Sequence, residues 1–283
     1  MTGIRDHAPP LRQMLAPWAL LTPVIVFLLV TFVVPLLQVV RLSFGEQGFS
    51  VAGYAAFFSD PFHLRVLGRT LATAAIVTVL CLVLGYPIAY VVARHGGGLG
   101  RSLLLIVTMS FWTSFLVRTF AWLVILGNQG PIAAGFRALG LAPPQLLFTT
   151  FASTIGMVHI LLPFMIMALY SVMLRIDANL VRAAEVLGGS PLQAFARVYL
   201  PLSFPGVING AMMVFIICLG FYVTPELLGG PKDQMIARLI GAQIEQLLDW
   251  QEAATMAVVL LGVTLALYAI YDYLFGLDRL WNG

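Results

Sequence analysis

The chain has 283 residues, of which 60% are hydrophobic and only 10% charged, with a formal net charge of +3. Soluble domains carry about 25% charged and about 45–50% apolar residues, so an ordinary soluble domain is excluded and a multi-span membrane protein is indicated. The basic residues are scattered and form no run, which argues against a nucleic-acid partner.

A membrane-crossing helix needs about 20 mainly apolar residues. Six stretches meet this, at approximately 15–40, 69–93, 102–126, 149–174, 205–226 and 253–277. Arg5 and Arg12 precede the first, as they would a secretory signal. The apolar run that follows is too long for a cleaved core of roughly 7–15 residues, so it reads as a retained span. The whole chain, 1–283, therefore reads as a single all-α transmembrane domain.

Six spans put both termini on one side. Arg5, Arg12, Arg94, Arg101, Arg175, Arg182, Arg197 and Arg279 fall on that side, against Arg41, Arg65, Arg69, Arg137, Lys232 and Arg238 on the other. The bias is modest and places both termini and the 176–204 loop in the cytoplasm. Pro23, Pro35, Gly85, Pro87 and Pro163 interrupt the spans, either as kinks that aid packing or as hinges of a moving pathway. Gly206 and Gly210 have the small-xxx-small spacing of close helix contacts. Cys81 and Cys218 lie in apolar stretches, and no Cys/His cluster has metal spacing.

The third span carries Arg118. A charge at the centre of a membrane helix costs roughly 2.5–3.5 kcal/mol, so it should face protein or water. Glu226 lies at the outer end of the fifth span. The two could pair across the bundle, or Glu226 could meet a cationic solute. Trp112, Phe111, Trp122, Phe221 and Tyr222 supply aromatic faces nearby, suited to an ammonium group or to an interfacial belt. Trp112, Arg118, Tyr222 and Glu226 are the candidate residues of a translocation path. His159 in the fourth span could line a pathway, but it reads first as an interhelical hydrogen bonder.

Between the fourth and fifth spans runs "RAAEVLGGSPLQAFARVYLP", from Arg182 to Pro201. Gly188-Gly189 should end one helix. Ser190 and Pro191 should start another. Leu192, Phe195 and Val198 then form an apolar stripe, and Pro201 and Pro205 should break the chain before the fifth span. An exposed helix pair of this kind either lies on the lipid surface or docks a cytoplasmic partner.

This stretch resembles the E-A-A-x3-G-x9-I-x-L-P motif of permease subunits of ATP-binding-cassette importers. Ala183, Ala184, Gly188, Leu200 and Pro201 match at the right spacing. Arg182 stands where the motif has glutamate, reversing a charge, and Val198 where it has isoleucine. "SFWTSFLVRTFAWLVILGNQG" and "GFYVTPELLGGPKDQMIARLI" are similar to spermidine/putrescine-type permeases in particular. The resemblance implies the type I importer fold with a cytoplasmic coupling helix, in a bacterial inner membrane. It implies that Arg182, Ala183, Ala184, Glu185, Leu187, Gly188, Val198, Leu200 and Pro201 meet a partner ATPase. It implies alternating access, a second homologous permease, two ATPase subunits and a solute-binding protein. Polyamine is the implied solute, with another small amino-containing or organic solute as the alternative.

No G-x4-G-K-[ST] loop and no G-x-S-x-G elbow occurs, so the chain is expected to be no enzyme and to hold no cofactor; the resemblance implies that ATP and Mg are bound by the partner ATPase. A secondary transporter or channel would show more intramembrane ionisable groups or a selectivity ring.

Overall fold

The computed structural model describes residues 21–45, 48–94 and 97–275. The predicted beginning of the first span, Arg5, Arg12, the last residues of the sixth span and Arg279 lie outside them. Every regular element among the described residues is helical.

Among the described residues the chain forms twelve helices, the eleventh of which runs on into a π turn at Gln243–Leu247. They are α1 (Leu21–Ser43), α2 (Ala52–Ser59), α3 (Pro61–Arg94), α4 (Gly98–Trp112), α5 (Phe115–Leu126) and α6 (Pro131–Ala138). Then come α7 (Thr150–Met173), α8 (Ala178–Val186), α9 (Pro191–Leu219), α10 (Val223–Leu228), α11 (Ile236–Ala242) and α12 (Trp250–Phe275). Five of them, α1, α3, α7, α9 and α12, are long and apolar enough to cross a membrane unaided.

The third predicted span is not one helix. It breaks at Thr113 and Ser114, and the segment after the break turns by 101°. Thr113 is extended and Ser114 leaves the helical region, so α4 ends at Trp112 and α5 starts one turn before Arg118. Six spans result when this bent pair is taken as one. The fifth span also departs from expectation. Pro201 and Pro205 do not break the chain, because α9 runs without interruption from Pro191 to Leu219.

The helix tolerates Pro201 by a local change of ladder. Pro201 has no N–H to offer the carbonyl four residues back. A π turn spans Phe195–Tyr199 instead, closed by the Leu200 N–H donating to the Phe195 carbonyl. The same device precedes Pro35, where a π turn covers Leu29–Val33.

The core is a three-helix seam of α3, α7 and α9. Along α7, Met157, Leu161, Met165, Leu169 and Met173 recur every fourth residue and are at most 1% exposed. That spacing keeps them on one ridge. They interlock with Ala74, Val77 and Cys81 of α3 and with Val214 and Cys218 of α9. Both cysteines are free and buried. The small-xxx-small pair makes the close approach the sequence predicted: a Cβ on Gly210 would lie 2.8 Å from Met165 Sδ, and one on Gly206 3.0 Å from Val172 Cβ. By contrast, α1 is exposed from Leu21 to Leu37, an apolar surface that matches lipid or another membrane helix.

Candidate functional site: an exposed hairpin and a cavity

The hairpin before α9 is held by caps at each corner. The Asp177 carboxylate accepts the Asn179 N–H and starts α8. At its end the Gly188 N–H donates to the Glu185 carbonyl and the Gly189 N–H to the Ala184 carbonyl. These two bonds are the Schellman pattern, which needs a left-handed residue at the first position past the cap. Gly188 supplies it, with φ of +92°. Ser190 and Gln193 then form a reciprocal capping box that opens α9 with Pro191 in its first turn. The sequence predicted the roles of Gly188-Gly189, Ser190 and Pro191, but not the Asp177 cap or the part of Gln193.

The tip so formed is greasy and open. Val186 is 87% exposed, Leu187 88% and Leu192 76%. Arg182, Ala183 and Glu185 are exposed beside them. Val198, Leu200 and Pro201 lie farther up α9, about 10 Å from its start at 1.5 Å per residue. Val198 is half-buried there, and Leu200 and Pro201 are exposed. The motif residues therefore form two patches, one at the tip and one on the stem.

At the other end of the bundle is a cavity of about 610 Å3. The broken third span supplies Phe111, Thr113, Ser114, Phe115 and Arg118, α7 supplies Ile160, Leu161 and Phe164, and the chain leaving α9 supplies Ile217 and 220–224. Arg118 reaches into it from the first turn of α5. Its Nη1 donates to Ser110 Oγ at 3.3 Å and to the Ile160 carbonyl at 3.4 Å. Its Nε is buried without a partner among the described residues. Phe111 stacks edge-on against Phe164. Thr119 and Thr224 hydroxyls, 3.1 Å apart, tie α5 to α10.

Of the four predicted path residues, Arg118 and Tyr222 line this cavity together. Trp112 does not: it is 89% exposed at the break. Glu226 belongs to a neighbouring cleft of about 470 Å3. It pairs with Arg238, Nε to Oε2 at 2.5 Å, so the Arg118–Glu226 pair, one of the two readings of the sequence, is not formed. Arg238 comes from α11, beyond a loop whose hydrogen bonds the sequence did not reveal. Asp233 accepts from Thr150 Oγ1 at 2.6 Å and from the Gly230 N–H at 2.7 Å, and Arg69 Nη1 donates to the Lys232 carbonyl. His159 is the interhelical hydrogen bonder expected, accepting from Trp122 Nε1 at 3.1 Å. Among the described residues no cluster of side chains could hold a metal ion.

Comparison with known proteins agrees with this architecture. The spermidine/putrescine transport system permease protein PotB of Escherichia coli (strain K12) is 36% identical over 231 residues, covering 80% of this chain and 84% of that one. The molybdenum transport system permease protein ModB of Mycobacterium bovis is 30% identical over 210 residues, 74% of this chain and 78% of that one. A crystal structure of a bacterial alginate ABC transporter, in complex with an alginate pentasaccharide-bound periplasmic protein, superposes with a TM-score of 0.77. At 17% identity it covers 93% of this chain and 94% of its own, and it shares the fold. Residues 82–277 match the model of the family described as binding-protein-dependent transport system inner membrane component, and the chain belongs to that family of ABC importer permeases.

Proposed function

We propose that the chain is one of two homologous permeases in an importer, that its 182–201 hairpin docks an ATPase, and that its cavity is part of the solute path. Two ATPase subunits carry ATP and Mg, and a solute-binding protein delivers solute to the outer face. Both termini face the cytoplasm, with the hairpin. The observation that carries this reading is the rigidly capped hairpin with three large apolar side chains in the open. A cap that strong holds the tip in one shape, and burying each such side chain is worth roughly 1.5–3 kcal/mol. A cleft on an ATPase supplies that burial. ATP-driven closure of the ATPase dimer then moves the hairpins and opens the cavity outward, and hydrolysis resets it.

Polyamine is the proposed solute, supported by the similarity to PotB. The cavity lining favours a second reading, another small organic solute. Among the described residues that line it, Arg118 is the one charged group, and it suits an oxygen acceptor better than an ammonium group. The binding protein can set specificity, so solute identity and the docking reading are separate questions.

The test is purification of the tagged chain from native membranes in mild detergent with mass spectrometry of what remains bound. Recovery of an ATPase and a second permease is expected. A chain that purifies alone and moves solute in liposomes without ATP would refute the reading and favour a channel or secondary transporter. In the same preparation Arg118→Leu separates path from anchor: normal assembly with lost transport supports the path.

A further inference from the structure

The inner end of the second span meets the root of the docking hairpin through a set of aromatic rings and one arginine. Tyr86, Tyr90 and Arg94 recur every fourth residue on α3, and Phe195, Tyr199 and Ser203 do the same on α9, so each triplet shares a helix face. The two faces interlock. Arg94 Cζ lies 4.6 Å from the centroid of the Tyr199 ring. Tyr199 stands edge-on to Tyr90 with centroids 4.9 Å apart and stacks on Phe195 at 5.8 Å. Phe195 in turn meets Tyr86 and Tyr90 edge-on. Tyr86 OH and Ser203 Oγ are 2.8 Å apart and close the set.

Two further observations mark this contact as more than packing. Tyr199 is only 1% exposed, although it belongs to the stretch that carries the open docking tip. Phe195 and Tyr199 are also the first and last residues of the π turn. Such turns interrupt the regular ladder of a helix and recur at functional sites. The clamp therefore grips α9 where its own backbone is least continuous. Among the described residues no carboxylate pairs with Arg94, so the ring face is the partner its charge has.

We infer that Arg94 and Tyr199 are positioning residues that lock the docking hairpin to the second span, so that movement of the hairpin carries the second and fifth spans together. The inference rests on the ATPase-docking reading above. A cation over a ring in a partly desolvated site is a contact whose loss shifts a two-state equilibrium by about 2- to 30-fold. Without it the π turn flexes, and the hairpin moves while the spans lag.

The experiment uses the whole complex in lipid nanodiscs with Val223→Cys as a reporter in the cavity, since Val223 lines it. Native Cys81 and Cys218 are buried and give the blank. The readout is the ratio of labelling rates by a polar thiol reagent with and without ATP plus vanadate. Arg94→Gln and Tyr199→Leu should each lower that ratio about 2- to 30-fold toward one, with the amount of bound ATPase unchanged. Arg94→Lys keeps the cation and should stay near the unmodified ratio. If Tyr199→Leu fails to assemble, Arg94→Gln decides, because its side chain ends a helix and fills no core space. An unchanged ratio in an assembled Arg94→Gln complex overturns the inference, as does a loss that only follows lost ATPase. A starting complex that contains no ATPase overturns the docking reading instead.

Discussion

Gly188 offers a backbone test of the proposal that the 182–201 hairpin docks an ATPase. Its φ of +92° lies where a side chain is strained, yet a Cβ there would meet nothing within 4 Å. Substitution therefore changes conformational cost and little else. Placing an L-residue in the left-handed region costs about 1–2 kcal/mol for alanine and less for asparagine, whose side chain tolerates it. The hairpin is exposed and held mainly by its caps, so that cost falls on the population of the docking shape. A shift of about 1–2 kcal/mol is about 5- to 30-fold in apparent affinity. The assay strips the ATPase from purified complex and titrates it back onto Gly188→Ala, Gly188→Asn and a Gly98→Ala control, whose Cβ is also in open space. Kd should rise about 5- to 30-fold for Gly188→Ala, less for Gly188→Asn and not at all for the control. Equal losses for alanine and asparagine, or no loss for either, would refute the argument.

Three other outcomes are expected. Gly210→Leu drives a side chain into Met165 Sδ and Ala168 Cβ, which a lone Cβ already approaches to 2.8 and 3.2 Å; overpacking at about 1–3 kcal/mol should lower the melting temperature of the solubilised protein by about 2–12 °C. The Glu226–Arg238 pair is partly exposed, with side chains 37% and 22% accessible, and contributes about 1 kcal/mol or less. Uptake should fall modestly on Arg238→Ala and recover in part in the charge-swapped Glu226→Arg/Arg238→Glu protein; a swap worse than either single change would show that the two are not partners. Tyr222→Ala removes a ring from the cavity lining and should reduce uptake in proteoliposomes with ATPase assembly intact, and unchanged uptake would remove Tyr222 from the path.

Local chemistry was the legible part of this fold. Hydropathy located the long spans because each crosses as continuous apolar chain, and Gly188, Gly189, Ser190 and Pro191 announced their corner because caps depend on neighbours in sequence. The break at Thr113 and Ser114 carries no glycine or proline, so no propensity signalled it. Pro201 and Pro205 gave the opposite error, since tertiary packing and a π turn keep α9 continuous through them. Charge partners were illegible for a different reason. Arg238 lies beyond a folded loop from Glu226, and Arg94 is 105 positions from Tyr199, so only the assembled bundle brings them together. The substitution of Arg182 for the motif glutamate leaves an exposed guanidinium at the tip, and nothing in this chain explains it.

The broken third span bears on how the chain enters the membrane during synthesis. At 1.5 Å per residue α4 is about 22 Å long and α5 about 18 Å, each short of the roughly 30 Å of hydrocarbon. Neither half is a good passenger alone, and the second carries a guanidinium in its first turn. One partner of that guanidinium, Ser110 Oγ, lies on α4, and the other, the Ile160 carbonyl, belongs to a helix synthesised some 40 residues later. Arg118 therefore gains its second partner, and the cavity its α7 wall, only once the chain has been made as far as Phe164.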